Sequence, residues 1–142
     1  MAVRIAHAEW KGNLKNGKGT MKSETGAIDG QYSFSSRFEE GTGTNPEELL
    51  GAAHAGCFSM ALSNILAEAG FEPESVKTED RVHLENTDAG FTITKIEMHL
   101  NATVPGISED DLKKHAEDAK KNCPVSRALT GVTFELHATL NS

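Results

Sequence analysis

The chain has 142 residues, a length typical of one globular domain, and its composition excludes the collagen-like, disulfide-rich and disordered classes. Its 14 basic and 21 acidic side chains leave a net charge of −7, which disfavours nucleic acids and anionic membrane surfaces as partners. The first residues contain no long apolar run, so we expect no signal peptide and a cytoplasmic location. The chain length favours a single domain spanning residues 1–142.

Short strands are predicted for the first 45 residues. Residues 3–10, 19–26 and 31–37 have the composition of strands, and the segments between them are rich in glycine. This pattern indicates antiparallel strands joined by tight turns.

A long helix is predicted from Pro46 to about Ala69. Thr44 and Asn45 are both suitable N-cap residues, because their side chains can accept hydrogen bonds from free backbone N–H groups. Proline suits the first turn of a helix, and Gly70 suits its C-terminal end.

The middle of this helix is unusually apolar. Residues 49–67 carry no charged side chain, and a stretch of that length could cross a membrane. Interspersed glycine, histidine, serine and asparagine, together with acidic flanks, favour the core helix of a water-soluble fold instead. A chain this short would struggle to cover such a helix on every side, so we expect a partner subunit.

A hairpin is predicted after the helix. Residues 76–86 and 91–104 alternate between polar and apolar side chains, and the T-D-A-G sequence between them is typical of a tight turn. The alternation changes parity near Lys95, which indicates a β-bulge there.

The last part of the chain is predicted to form a helix and a strand. Ser108 is followed by three acidic residues and opens an amphipathic helix that continues to about Asn122, and residues 132–140 alternate as a final strand. The sum is an α+β fold in which an antiparallel sheet wraps around the long apolar helix.

The two cysteines have different surroundings. Cys57 lies in the middle of the apolar helix, where burial alone would raise the pKa of its thiol and make it unreactive. Cys123 precedes Pro124 at a predicted helix N-cap, where free N–H groups favour a thiolate. Buried cysteines are common, so these residues are either small core side chains or a redox pair.

Longer motifs favour the redox pair. The run R-F-E-E-G-T-G-T-N-P-E-E-L-L-G-A-A-H-A-G-C-F-S-M-A-L, joined with the later N-C-P-V-S, resembles the osmotically inducible protein C and organic hydroperoxide resistance family, OsmC/Ohr. The segments A-E-W-K-G, G-K-G-T and T-D-A-G-F are similar to its OsmC branch. The resemblance covers essentially the whole chain.

The resemblance implies four catalytic residues. Cys57 matches the peroxidatic cysteine, Cys123 the resolving cysteine, Arg37 the arginine that stabilises the thiolate, and Glu47 the glutamate that holds this arginine. The family also implies an intertwined homodimer with two active sites at the subunit interface. No cofactor or metal is expected.

The implied activity is the reduction of organic hydroperoxides to alcohols. Cys57 would become a sulfenic acid, Cys123 would convert it into an intramolecular disulfide, and an external dithiol would reduce that disulfide. The family suggests lipoylated proteins as this reductant. The apolar helix favours an organic substrate over hydrogen peroxide, with Phe58 or Met60 expected to line the approach to Cys57.

Alternatives remain at this stage. The protein could be a non-catalytic, stress-related dimer that binds an apolar ligand. His54 could pair with Cys57 in a hydrolase or acyl transferase, or could simply pack and hydrogen-bond in the core. A metal site built from His54, Cys57 and Cys123 lacks the usual ligand spacing. Glu48 competes with Glu47 for the functional role of the glutamate, although the motif position favours Glu47.

Overall fold

The computed structural model describes residues 2–141. The chain falls into two compact units, one ending at Leu49 and the other beginning at Leu50. The α+β class is confirmed, because each unit contains a three-stranded sheet and the chain contains one long helix.

The first unit is a small antiparallel sheet followed by a short helix. Its strands are β1 (Ala6–Lys11), β2 (Lys18–Ser23) and β3 (Asp29–Tyr32), in that order across the sheet. Trp10 and Tyr32 pack with their ring centroids 5.2 Å apart. Gly19 lies between these rings, and a Cβ atom there would come within 2.4 Å of Tyr32, so only glycine fits.

The prediction of a strand over residues 31–37 is wrong in its second half. Helix α1 (Phe34–Phe38) occupies that segment. Ser33 caps it by accepting a hydrogen bond from the Ser36 N–H over 3.1 Å, and the Ser36 hydroxyl accepts from the Ser33 N–H over 2.8 Å. This capping box stabilises one helical turn that is too short to show a helical period.

The long helix α2 (Pro46–Glu68) has the predicted bounds. Asn45 accepts a hydrogen bond from the Glu48 N–H over 2.7 Å, as an N-cap residue does. Gly70, with φ of +93°, ends the helix in a left-handed conformation that costs glycine little.

The second unit packs this helix on a second sheet. The sheet contains β4 (Ser75–Thr87), β5 (Gly90–Thr103) and β6 (Thr133–Asn141), with β5 in the middle. The β4–β5 hairpin turns where T-D-A-G predicted it. The bulge is also confirmed, because the register shifts so that Thr94 is left without a partner on β4.

The last strand differs from the prediction of an antiparallel sheet. β6 pairs with β5 in parallel. Helices α3 (Glu109–Asn122) and α4 (Pro124–Ala128) lie between the two strands and carry the chain back to the same end of the sheet. A parallel neighbour requires a crossover of this kind, whereas a hairpin does not.

The core of the second unit is formed by one face each of α2, β5 and α3. Its buried apolar side chains include members from α2 (Phe58, Leu62, Leu66), β5 (Ile96, Met98, Leu100, Ala102) and α3 (Leu112, Ala116, Ala119). Burial of each large apolar side chain stabilises the fold by about 1.5–3 kcal/mol. Phe58 therefore belongs to the core and presents no surface to a substrate, contrary to expectation.

The opposite face of α2 is exposed in the single chain. Met60 is 78% exposed, and the exposed face also carries Ala53, Gly56 and Ala67. By length and composition alone, α2 could cross a membrane. Its core contacts with β5 and α3 are instead those of a helix inside a globular fold.

Candidate active site

Cys57 lies on α2, beside the core. Burial raises the pKa of its thiol, as expected, while a hydrogen bond from the Val125 backbone N–H lowers it. The Cys123 thiol raises the pKa further, through a side-chain hydrogen bond and through coulombic repulsion. The second unit thus leaves Cys57 poorly ionised, so a reactive Cys57 requires an additional cationic partner.

Cys123 lies between α3 and α4, where it caps the shorter helix. Its side chain is buried, and its sulfur accepts a hydrogen bond from the Ser126 N–H over 3.4 Å. The sulfur also lies 3.0 Å from the Ser126 hydroxyl oxygen. The predicted N-cap position of Cys123 is therefore confirmed.

The structure brings the two cysteines together. Both are free thiols, and Cys123 lies close enough to Cys57 to raise the pKa of the Cys57 thiol. Each cysteine belongs to a different element of the second unit, one in a helix and one at a helix junction. Such proximity allows one sulfur to attack the other without a large rearrangement.

Arg37 and Glu47 form an ion pair within the first unit. The Arg37 Nε–H donates to Glu47 Oε1 over 2.9 Å, and Nη2 lies 2.8 Å from the same oxygen. Glu48 instead accepts a hydrogen bond from the Thr44 hydroxyl over 2.8 Å at the helix N-terminus. Arg37 thus pairs with Glu47, the residue that the motif position favours.

An aromatic cavity opens beside Arg37 in the first unit. Its volume is about 210 Å³, and its lining includes Trp10, Leu14, Tyr32, Phe34 and Phe38. The guanidinium carbon of Arg37 lies 5.2 Å from the ring centroid of Phe38, where the ring face attracts a cation. The cavity combines an apolar wall with a permanently charged hydrogen-bond donor. Sequence reasoning missed it, because its aromatic residues come from separate segments.

His54 is fully buried and does not pair with Cys57. Its Nδ1 atom bonds to Asp80, and its Nε2 atom lies 2.8 Å from the Ser126 hydroxyl oxygen. The expectation that His54 packs and hydrogen-bonds in the core is therefore confirmed. The alternative hypothesis that His54 pairs directly with Cys57 is wrong, since both ring nitrogens of His54 have other partners. Asp80 and Ser126 were not identified from the sequence, where nothing distinguishes them from surface residues.

A second group of titratable side chains lies on the β4–β5–β6 sheet. Glu97, His99 and His137 each place one potential metal-ligand atom within 4.8 Å of the others. The rings of His99 and His137 stack at 4.9 Å, and hydrogen bonding from His99 lowers the pKa of Glu97.

Comparisons with known proteins identify the family. Residues 39–137 match the model of the family described as OsmC-like protein. Over 123 residues the chain is 52% identical to peroxiredoxin OsmC of Escherichia coli K12, with 86% of each protein covered. Over 116 residues it is 32% identical to the organic hydroperoxide resistance protein OhrB of Bacillus subtilis, covering 80% of this chain and 82% of that protein.

Solved structures agree with these sequence matches. The crystal structure of Bacillus subtilis OhrB superposes on this chain with a TM-score of 0.72 and 25% identity, covering 95% of this chain and 98% of that one. The family match contains Glu47, Cys57 and Cys123, and Arg37 lies just before it. The resemblance drawn from the motifs is confirmed, and the chain belongs to the OsmC-like protein family.

Proposed function

We propose that this protein reduces organic hydroperoxides to alcohols through a sulfenic acid on Cys57 and an intramolecular Cys57–Cys123 disulfide. The chain is a cysteine-based peroxidase, as its relatives named peroxiredoxin OsmC and OhrB indicate. The observation that carries the disulfide cycle is the proximity of the two free thiols, since Cys123 lies close enough to raise the pKa of Cys57.

The first step is the attack of the Cys57 thiolate on the hydroperoxide. A sulfur–oxygen bond forms, the O–O bond breaks, and the departing alkoxide takes a proton to give the alcohol. We assign Arg37 to stabilise both the thiolate and the alkoxide, because its guanidinium has five N–H donors and Glu47 engages only two of its nitrogens. The raised pKa of Cys57 supports this assignment, because the thiol needs such a cation.

An organic substrate is supported by the cavity beside Arg37. Its aromatic wall offers an apolar surface to the alkyl group of a hydroperoxide, while the guanidinium can hold the peroxide oxygens. Small, strongly hydrated hydrogen peroxide would gain little from that wall.

The later steps close the cycle. Cys123 attacks the sulfenic acid, a disulfide forms and water leaves, which protects Cys57 from further oxidation. An external dithiol, for which we propose a lipoylated protein, then reduces the disulfide. The proposal includes a cytoplasmic location, where reductants keep both thiols available, and an intertwined homodimer in which a partner chain covers the exposed face of α2.

The test is steady-state reduction of cumene hydroperoxide with dihydrolipoamide as the dithiol. We expect turnover by the wild-type protein, none by Cys57→Ser, and a higher kcat/KM for cumene hydroperoxide than for hydrogen peroxide. Turnover by Cys57→Ser would contradict the role of Cys57. A wild-type protein that binds cumene hydroperoxide without reducing it would be the non-catalytic ligand-binding dimer instead.

A further inference from the structure

Four buried side chains form a continuous hydrogen-bonded chain in the second unit. Asp80 on β4 bonds to His54 Nδ1, and His54 Nε2 lies 2.8 Å from Ser126 Oγ. Ser126 Oγ in turn lies 3.0 Å from Cys123 Sγ. The His54 and Asp80 side chains are 0% and 1% exposed, so water does not compete for these contacts. The chain therefore connects the resolving thiol to a buried histidine–carboxylate pair.

The direction of each hydrogen bond follows from the chemistry of the groups. An ionised carboxylate can only accept, so His54 Nδ1 carries the hydrogen that bonds to Asp80. In a neutral imidazole the other nitrogen is then an acceptor, and it accepts from the Ser126 hydroxyl. Ser126 Oγ remains free to accept from the Cys123 S–H. The Cys123–Ser126 and Ser126–His54 side-chain hydrogen bonds therefore both point from the thiol towards the imidazole, which is the direction a proton must travel to ionise Cys123.

The hydrogen bond of the buried Asp80 carboxylate to His54 only partly offsets the free-energy cost of burying it. Its Oδ1 atom is buried and has no hydrogen-bond partner among residues 2–141. A buried polar atom without a partner destabilises the fold by about 1–3 kcal/mol, and more when it is charged. A purely structural position would tolerate an apolar side chain better. The carboxylate instead fixes the His54 tautomer, which gives it a chemical role.

We propose that Ser126 is a further catalytic residue, and that His54 and Asp80 are positioning residues, for the step in which Cys123 attacks the Cys57 sulfenic acid. The inference rests on the proposed disulfide cycle and deepens it. Ser126 takes the Cys123 proton while its own hydroxyl proton passes to His54 Nε2, and Asp80 stabilises the imidazolium that forms. The Cys123 sulfur bonds to the Cys57 sulfur, the S–O bond breaks, and hydroxide leaves and takes a proton from solvent. His54 then returns its proton to solvent, so the step yields one disulfide and one water.

The same Asp80–His54–Ser126 arrangement resembles the catalytic triad of a serine hydrolase, and the contacts of Ser126 distinguish the two roles. A hydrolase serine must present a free oxygen to its substrate. Ser126 is only 7% exposed, and its oxygen already engages both His54 and Cys123. A proton relay from Cys123 uses the two contacts that the Ser126 oxygen already makes, so we assign Ser126 to the relay and not to hydrolysis.

Titratable groups on every surrounding element bear on the pH dependence of this step. Asp80 faces His54 from β4, and Phe134 of β6 stacks on the imidazole with ring centroids 4.7 Å apart. On its own helix, Cys57 lies one turn further along. The α3 side chains that line a cavity with Ser126 are Glu117, Asp118, Lys120 and Lys121. Among the described residues, none of these α3 groups hydrogen-bonds to Ser126, so its hydroxyl contacts only His54 and Cys123 among the titratable groups.

The test separates formation of the sulfenic acid from its resolution. Reduced full-length protein is mixed with one equivalent of cumene hydroperoxide, sampled over time, trapped with dimedone and analysed by mass spectrometry between about pH 6 and about pH 9. The variants are Ser126→Ala and the isosteric Asp80→Asn. Ser59→Ala is the matched control, since Ser59 also links α2 to β4, through a 2.7 Å hydrogen bond to Thr78, but lies outside the relay.

We expect all variants to form the sulfenic acid at the wild-type rate. Disulfide formation near neutral pH should slow by about 10- to 100-fold in Ser126→Ala and Asp80→Asn, and should be unchanged in Ser59→Ala. The defect should shrink as the pH rises towards about 9, because hydroxide from solvent increasingly replaces the relay as the proton acceptor, whereas a merely structural defect would persist.

Two outcomes would overturn the relay while leaving the peroxidase intact. One is disulfide formation at the wild-type rate in both relay variants at neutral pH. The other is an acyl-enzyme on Ser126 after treatment with p-nitrophenyl acetate, which would assign the triad to hydrolysis. Absence of any sulfenic acid or disulfide in the wild-type protein would instead contradict the proposed function itself.

Discussion

At the scale of the residue, the acidity of Cys57 depends on its neighbours. Burial raises the pKa of Cys57, the Val125 N–H lowers it, and Cys123 raises it further. Replacing Cys123 with alanine removes the thiol responsible for that last effect, so the pKa of Cys57 should fall in Cys123→Ala. The thiolate fraction at a given pH then rises, and the pH profile of alkylation by iodoacetamide should move to lower pH. A profile that stays in place or moves to higher pH would contradict this reading.

The Arg37–Glu47 pair is the second residue-scale feature. Removing the cation in Arg37→Met should leave Cys57 protonated near neutral pH and should lower kcat/KM for cumene hydroperoxide by about 100-fold or more. Glu47→Gln should give a smaller loss, because the guanidinium loses its anchor but keeps its charge. Glu48→Gln serves as the control, since Glu48 bonds to Thr44 and not to Arg37. Equal losses in Glu47→Gln and Glu48→Gln would exclude a specific anchoring role.

Some residues of the proposed active site could be predicted from their residue types. Cysteine and arginine have distinctive chemistry, so Cys57, Cys123 and Arg37 could be selected from their motifs. Asp80 and Ser126 could not, because an aspartate on an alternating strand and a serine in a short turn usually face solvent. Only the packing of β4 and α4 against α2 shows that both side chains bond to His54.

At the scale of the element, strong capping signals fixed the helix bounds. Ser108 accepts a hydrogen bond from the Asp111 N–H over 3.1 Å at the start of α3. Ser108→Ala should lower the free energy of unfolding by about 1 kcal/mol, and Ser108→Asp should lose much less, since aspartate is an equally good N-cap residue. Urea denaturation with an unchanged m-value measures this difference. Equal losses in the two variants would show that the cap contributes nothing.

Elements governed by non-local contacts were harder to predict. Alternation identified β6, but alternation carries no information about strand direction, and the parallel pairing with β5 became evident only from the crossover through α3 and α4. The single turn of α1 was missed because five residues contain no measurable period. The bulge at Thr94 was predictable, since it reverses the parity of side chains along one strand.

At the scale of the whole molecule, the exposed face of α2 is the surface on which the proposed homodimer can be tested. Met60 is 78% exposed on a helix whose opposite face forms the core. We expect light scattering after gel filtration to give the mass of two chains for the wild type and of one chain for Met60→Glu, because a charge buried in an apolar interface is strongly unfavourable. Ile28→Glu is the control for an exposed apolar residue outside α2. A monomeric wild type would remove the dimer from the proposal.

The amino-acid sequence predicted that α2 needs a protein surface to cover it, but not which residues form that surface. An uncharged stretch over residues 49–67 must be shielded from water, and 142 residues provide little material to do so. In the proposed homodimer the covering surface belongs to a second chain, which no pattern within one sequence specifies.

The most direct test of the proposed disulfide cycle is peptide mass spectrometry of the fully reduced protein after one equivalent of an organic hydroperoxide. We expect one intrachain disulfide between Cys57 and Cys123, with the hydroperoxide converted to its alcohol. Two unmodified thiols, or a sulfinic acid on Cys57 beside a reduced Cys123, would contradict it.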